Sequence, residues 1–236
     1  MKLTLIAQGS SPAERQEKRW GVSFLIGGET VFDTFGREDV FRENVERYGI
    51  DITRVRHVVI SHDDWDHVAG LGYLLSNAPH ARVYLCRGGA RALERSSRDA
   101  GAAVSLVGGA REISPGIWTM GSMPAHTAHG DVIEQAVAVS TEKGLSVLTG
   151  CAHPGIVPIV KRAAGWFGKA PYAVCGGFHM KDSDDVTNER AVQELRRMGV
   201  QQVAPLHCTG EAACGLFRRC FGDGYVGLAE GGSIEL

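Results

Sequence analysis

The strand-like run RHVVI at residues 56–60 passes without any turn signal into SHDDWDH at 61–67. Two histidines and three aspartates crowd there around one tryptophan. A core cannot bury such a cluster unpaired, so the strand must deliver it to a site that uses it. The same arrangement recurs three times. The run 145–149 leads into Cys151 and His153, 172–175 into His179, and 203–206 into His207. Polar groups just past the carboxyl ends of strands mark the sites of layered α/β folds. A fold that serves this sequence must therefore bring four strand ends to one edge.

The remaining segments supply the layers. KLTLIAQ (2–8) is a strand, and GVSFLIGGETVFDT (21–34) is a hairpin split by Gly27-Gly28. Val40, Phe41, Val45 and Tyr48 recur at helical spacing before Gly49. HVAGLGYLL (67–75) reads as one helix, ARVYLC (81–86) as a strand, and 88–100 as a helix that could rim a pocket. QAVAVST (135–141) and GLSVLTG (144–150) form a second hairpin. Residues 155–168 start a helix with Pro158 in its first turn. Residues 186–199 form an amphipathic helix capped by Thr187 or Asn188, and GEAACGLFRRCFG forms another. YVGLAEGGSIEL closes the chain as strand. Each half runs strands first and strand–helix units afterwards. Layer logic then predicts an αββα sandwich, with 1–236 as one domain.

Formal net charge is -2, with no basic run, which argues against nucleic acid as a partner. No apolar stretch reaches spanning length and the N-terminus lacks a signal core, so we expect a cytoplasmic protein with no membrane partner. Without such a signal, Cys86, Cys151, Cys175, Cys208, Cys214 and Cys220 are expected as thiols. Oligomeric state is not legible, because every amphipathic face can be spent within one domain.

Imidazole nitrogen and carboxylate oxygen suit zinc, iron or manganese. His62 and Asp64 stand two apart and can point the same way. Asp66 and His67 are adjacent, so they are expected to diverge and serve different ions. Two donor sets on one loop favour two ions sharing a site. Asp63 reads as solvent-facing or as a cap. Trp65 is a core or pocket-wall residue, and His57, His80, His126 and His129 read as structural or surface groups.

These motifs together, FDTFG, SHDDWDHVAGL, LTGCAHPGIV, GGFHM and PLHCTG, resemble the metallo-β-lactamase superfamily, and within it the dihydropterin-ribofuranosylaminobenzene-phosphate synthase-like branch. The resemblance implies that His62, Asp64 and His153 bind a first ion and that Asp66, His67 and His207 bind a second. It places Cys151 on a metal or in the pocket wall. It makes Asp33 an orienting partner for a ligand histidine. It gives His179 the part of general acid or substrate contact. Asp64 stands where the superfamily signature has histidine, which shifts preference toward iron or manganese although zinc still accepts a carboxylate, so two divalent ions are expected, zinc first and iron or manganese as alternatives. Ala69 stands where relatives often carry glycine.

The expected activity is a dinuclear metal-dependent hydrolase acting on a small phosphoester or cyclic phosphodiester through a metal-bridged hydroxide. Asp66 would hold the nucleophile and His179 would protonate the leaving group. Trp65, Phe178 and Trp20 could stack a substrate ring. Two other readings stand beside it: an iron-based redox protein, suggested by Asp64, and a non-catalytic module that holds a pterin-like ligand over the metals.

Overall fold

Our computed structural model describes residues 1–128 and 130–236; His129 therefore lies outside the described residues. One sheet has seven strands, in the order Ser233–Glu235, Lys2–Gly9, Gly21–Ile26, Thr30–Phe32, His57–Val59, Arg82–Cys86, Ala103–Val107. A six-stranded sheet runs Gln202–Leu206, Pro171–Gly177, Gly144–Thr149, Val137–Thr141, Ile117–Thr119, Arg111–Ser114. Met123–Thr127 and Gly130–Glu134 pair separately. Both expected hairpins form, antiparallel, at Phe24↔Phe32 and Leu148↔Val137.

Period-two alternation separates the layers. Val22, Phe24 and Ile26 of one strand meet Leu148 and Cys175 of the other sheet in a shared core. Along Thr30–Phe32 and His57–Val59, Phe32 and Val59 join that core while Val31 and Val58 face the opposite way. There they meet Val40, Phe41 and Val45 of helix Glu38–Arg47 and Leu71, Leu74 and Leu75 of helix Leu71–Asn77. On the second sheet, Val147, Val174 and Val203 pack against helices Ile156–Phe167, Asp185–Arg197 and Glu211–Phe221. The result is the expected αββα sandwich.

Three local expectations change. The helix read over 67–75 is two short helices, Trp65–Val68 and Leu71–Asn77. Gly70 separates them, pressed so close to Phe41 and the Thr34 carbonyl that a Cβ there would lie within 2.7 Å of both. The amphipathic helix begins earlier than expected, with Asp184 as its cap; Asp184 Oδ1 accepts from the Thr187 amide at 2.7 Å. At the C-terminal end only Ser233–Glu235 is strand, because the chain turns at Gly231 with φ +74°. All six cysteines are free thiols, as expected.

One buried polar group ties the sheets together. Gln135 Nε2 donates to the carbonyls of Ile60 at 2.7 Å and Tyr84 at 3.0 Å, and Gln135 Oε1 accepts from Thr119. Its own amide donates to the Ser61 carbonyl at 2.8 Å. Replacing it by an apolar side chain leaves buried partners unsatisfied, at roughly 1–3 kcal/mol each. Gln135→Leu should accordingly lower the urea midpoint strongly, whereas Val186→Ser, on an exposed helix surface, should change stability by less than about 0.5 kcal/mol.

Candidate metal centre

Parallel pairing lines up the relevant strand ends. Thr30–Phe32 runs parallel to His57–Val59, and Gly144–Thr149, Pro171–Gly177 and Gln202–Leu206 run parallel to one another. Asp33, the SHDDWDH loop, Cys151, His179 and His207 therefore emerge along a common edge. The backbone is bent hard there. Asp33, Ala152, His179 and His207 all have positive φ, between 50° and 62°, a conformation that side chains adopt mainly where the surroundings enforce it.

Asp33 is buried and organises the first loop. It accepts from the Ser61 amide at 2.6 Å, the Ser61 hydroxyl at 2.7 Å and His67 Nδ1 at 2.7 Å. Ser61 Oγ in turn accepts from His62 Nδ1 at 2.8 Å. With their Nδ1 protons committed, His62 and His67 both keep Nε2 as the inward atom. Two backbone groups face His207 Nδ1: the Gly9 carbonyl at 3.0 Å and the Gly21 amide at 3.1 Å. They require opposite roles of that atom; we favour the Nδ1–H donor to Gly9, the shorter contact, which leaves Nε2 facing Cys151 Sγ and Asp66 Oδ2. His207 Nε2 is then directed inward as well. This crowding depends on Gly150, where a Cβ would come within 2.2 Å of Ser61 Oγ.

The donors fall into overlapping groups. Asp66, His67, Cys151 and His207 each offer an atom within 4.8 Å of the others, and so do His62, Cys151 and His153. Cys151 Sγ lies 3.3 Å from both His67 Nε2 and His207 Nε2. Asp66 Oδ2 lies 3.4 Å from the same two nitrogens. Asp66 and His67 thus converge, against the expected divergence, because the loop winds into helix Trp65–Val68. Asp64 Oδ2 sits 3.4 Å from His62 Nε2 and 4.0 Å from His153 Nε2.

His62 Nε2 and both ring nitrogens of His153 are buried without a hydrogen-bond partner. Buried polar atoms are rarely left so. Orphaned lone pairs amid carboxylate and thiol are what a cation would satisfy, so the residues present fit a bound metal.

Electrostatics agree. Burial opposes charge on Asp66, yet the His67 and His207 rings hold its carboxyl far below the usual range. Burial likewise opposes the charge on His67, and Asp66 and Asp33 overcome it, holding that ring well above its ordinary value. His207, against burial and with Cys208 and Asp66 beside it, is raised to about 9. Burial keeps His153 neutral and lone-pair bearing. Of the thiols, Cys151 is pushed up by burial and by Cys208; Cys208 is drawn well down, against burial, by Cys151 and His207.

Two residues here escaped sequence reasoning. Glu134, fully buried, accepts from the amides of Cys151 at 3.0 Å, Ala152 at 2.8 Å and His153 at 2.7 Å, and so shapes the loop that presents both side chains. Cys208 groups with Cys151 and His179 within 4.8 Å. Adjacency to His207 was the only sequence signal for Cys208; nothing marked Glu134. Phe178, expected in the pocket, is instead core, packed on Phe217 with ring centroids 5.3 Å apart. Trp65 is 45% exposed beside Asp64. Trp20 lies on the His207 ring at 4.8 Å and also walls a separate cavity of about 690 Å³ that includes Arg15, Lys181 and Tyr225. His57 contacts Tyr84 at 3.1 Å, and His126 pairs with Asp131 in an exposed hairpin; neither approaches the centre.

The sequence model of the metallo-beta-lactamase superfamily matches residues 21–198. A curated relative, the 7,8-dihydropterin-6-methyl-4-(beta-D-ribofuranosyl)-aminobenzene-5'-phosphate synthase of Methanocaldococcus jannaschii, is 26% identical over 262 residues, covering 91% of this chain and 89% of its own. A solved metal-dependent hydrolase of the beta-lactamase superfamily superposes with a TM-score of 0.81 at 29% identity, over 100% of this chain and 99% of its own. A metallo-beta-lactamase fold protein from Bacillus subtilis gives 0.69 at 15% identity, over 100% and 98%, a likeness of fold alone.

The raised His207 sets a pH dependence. Its folded value exceeds the unfolded 6.5, so its proton stabilises the metal-free fold fully below that value and ceases to do so as pH rises through about 9. A cation entering the group displaces this proton. Zinc affinity should therefore climb between pH 6.5 and about 9, where His207 still carries its proton, with protons released on binding, and the firmly held protons of His67 and Cys151 extend the rise beyond that interval. Calorimetric titration in two buffers of different protonation enthalpy measures both. A flat affinity across that interval contradicts this account of the centre.

Proposed function

Because the chain belongs to the metallo-beta-lactamase superfamily, we propose that it is a metal-dependent hydrolase of small phosphoesters or cyclic phosphodiesters, working through a dinuclear centre. The observation that carries this reading is the convergence of His62, His67, His153 and His207 with Asp66 and Cys151 on one edge, leaving buried imidazole nitrogens without partners. His62, Asp64 and His153 would hold one cation. Asp66, His67 and His207 would hold the other, with Cys151 between the two groups. When bound, such cations supply Lewis acidity toward a phosphoryl oxygen and lower the pKa of water.

The chain's own groups do the rest. Asp66 accepts a hydrogen bond from the attacking water and holds it in line. His179 is exposed at the rim, and hydrogen bonding to Cys208 raises its affinity for a proton. It donates that proton to the leaving oxygen. Trp65 offers a flat exposed face for a substrate ring.

The preference for phosphate draws on the Methanocaldococcus relative, whose name carries a 5'-phosphate on a ribofuranosyl-aminobenzene. That relative is a synthase, which favours a second reading: the same centre binds a phosphorylated, pterin-like compound and assists bond formation rather than hydrolysis.

Elemental analysis of protein purified without chelator, paired with a screen of phosphomonoesters, phosphodiesters and lactones, separates these. We expect about two transition-metal ions per chain and turnover of a phosphoester. His67→Ala should lose one ion and lower kcat/KM by ~100-fold or more, beyond the cost of losing an outer partner. Iron with oxygen consumption would move the reading to redox chemistry, and retention of a pterin-like compound without hydrolysis would move it to the synthase-like role. Protein grown in metal-rich medium that carries no metal overturns all of them.

A further inference from the structure

We propose that Cys151, His179 and Cys208 form an additional cation-binding face of the centre, selective for a thiophilic divalent ion of the zinc class. One atom from each lies within 4.8 Å of the other two. Both cysteines are buried, and Cys208 Sγ lies 3.5 Å from the Cys151 carbonyl.

The two turns that carry Cys208 and His179 are fastened together. Thr209 Oγ1 accepts from the Phe178 amide at 3.1 Å and donates to the Leu206 carbonyl at 2.7 Å. Both His179 and His207 hold a positive φ, 51° and 50°, so the chain turns sharply on either side of the shared Thr209 contacts. Room for the second sulfur exists because residue 177 is glycine: a Cβ there would stand 2.7 Å from Cys208 Sγ.

Two sulfurs and one imidazole are a soft donor set that suits zinc and disfavours magnesium, calcium or manganese. This face draws the centre toward zinc, against the pull of Asp64 toward iron or manganese. It extends the metal reading above and shares Cys151 with it; an ion held there takes up the His179 nitrogen, so this face fills only when His179 is not serving as the proton donor. The two fail separately, because Cys208 and His67 belong to different donor groups.

The test titrates the chelator-stripped chain with cadmium and follows the ultraviolet thiolate-to-cadmium band. Cys208→Ser should lose about half of the band, while His67→Ala should retain a two-thiolate signal. A band unchanged in folded Cys208→Ser, with folding checked by circular dichroism, overturns the assignment. If that variant does not fold, cadmium NMR of the unaltered chain decides. A resonance typical of two-sulfur coordination supports the site, and resonances confined to one-sulfur or oxygen–nitrogen environments overturn it.

Discussion

The SHDDWDH loop, from which the rest of the site is built, hangs from the buried carboxylate of Asp33. Asp33 sits at a strained backbone position at the end of its strand and gathers three short hydrogen bonds, two from Ser61 and one from His67. A buried carboxylate without partners would be costly. Satisfying it fixes the entrance of the SHDDWDH loop, the ring plane of His67 and, through Ser61, the tautomer of His62. One electrostatic requirement thus sets the direction of two imidazoles. Glu134 plays the matching part on the second sheet, holding three successive amides so that Cys151 and His153 face inward. Each sheet thus presents part of its donor set through one buried acid, while His207 is held by backbone groups of Gly9 and Gly21.

The architecture was largely legible because its signals are periodic. Alternation in Gly21–Ile26 and His57–Val59 and helical spacing in Glu38–Arg47 each report one bounded element. The site was legible where side chains cluster along the chain or recur at strand ends, as with His62, Asp66, His153 and His207. Asp33 was found by resemblance rather than by pattern. Glu134 and Gln135 could not be found, because their partners are backbone groups on other strands, and a backbone partner leaves no trace in residue identity. Phe178 misled for the reverse reason: it neighbours His179 in sequence, but the turn that exposes the histidine sends the phenyl ring into the helix-side core. The reach of Asp66 and His67 to the same point likewise depended on a single helical turn too short to read as a period.

Family membership and chemistry stand on different ground. The superfamily match and the fold-level likeness speak for a metal-dependent enzyme architecture, but one fold hosts many reactions. This chain brings sulfur to that fold. Cys151 adjoins both His67 and His207, and Cys208 stands behind it. A carboxylate at Asp64 on the exposed side and thiols on the buried side give the centre a hard face toward solvent and a soft face toward the protein. The only large exposed aromatic surface near the centre among the described residues, that of Trp65, lies on the Asp64 side.

The grip on His207 has a temporal consequence. The Gly9 carbonyl that faces its Nδ1 belongs to a residue 198 positions earlier in the chain. Contacts of such span form late, since the intervening polypeptide must first be ordered. On a ribosome, the SHDDWDH loop and Asp33 can assemble while the last strands are still being made, but His207 cannot be seated. Seating of His207, and with it the complete donor set, is therefore coupled to completion of the sandwich, so a nascent chain holds only a partial set of ligating groups until its final layer has closed.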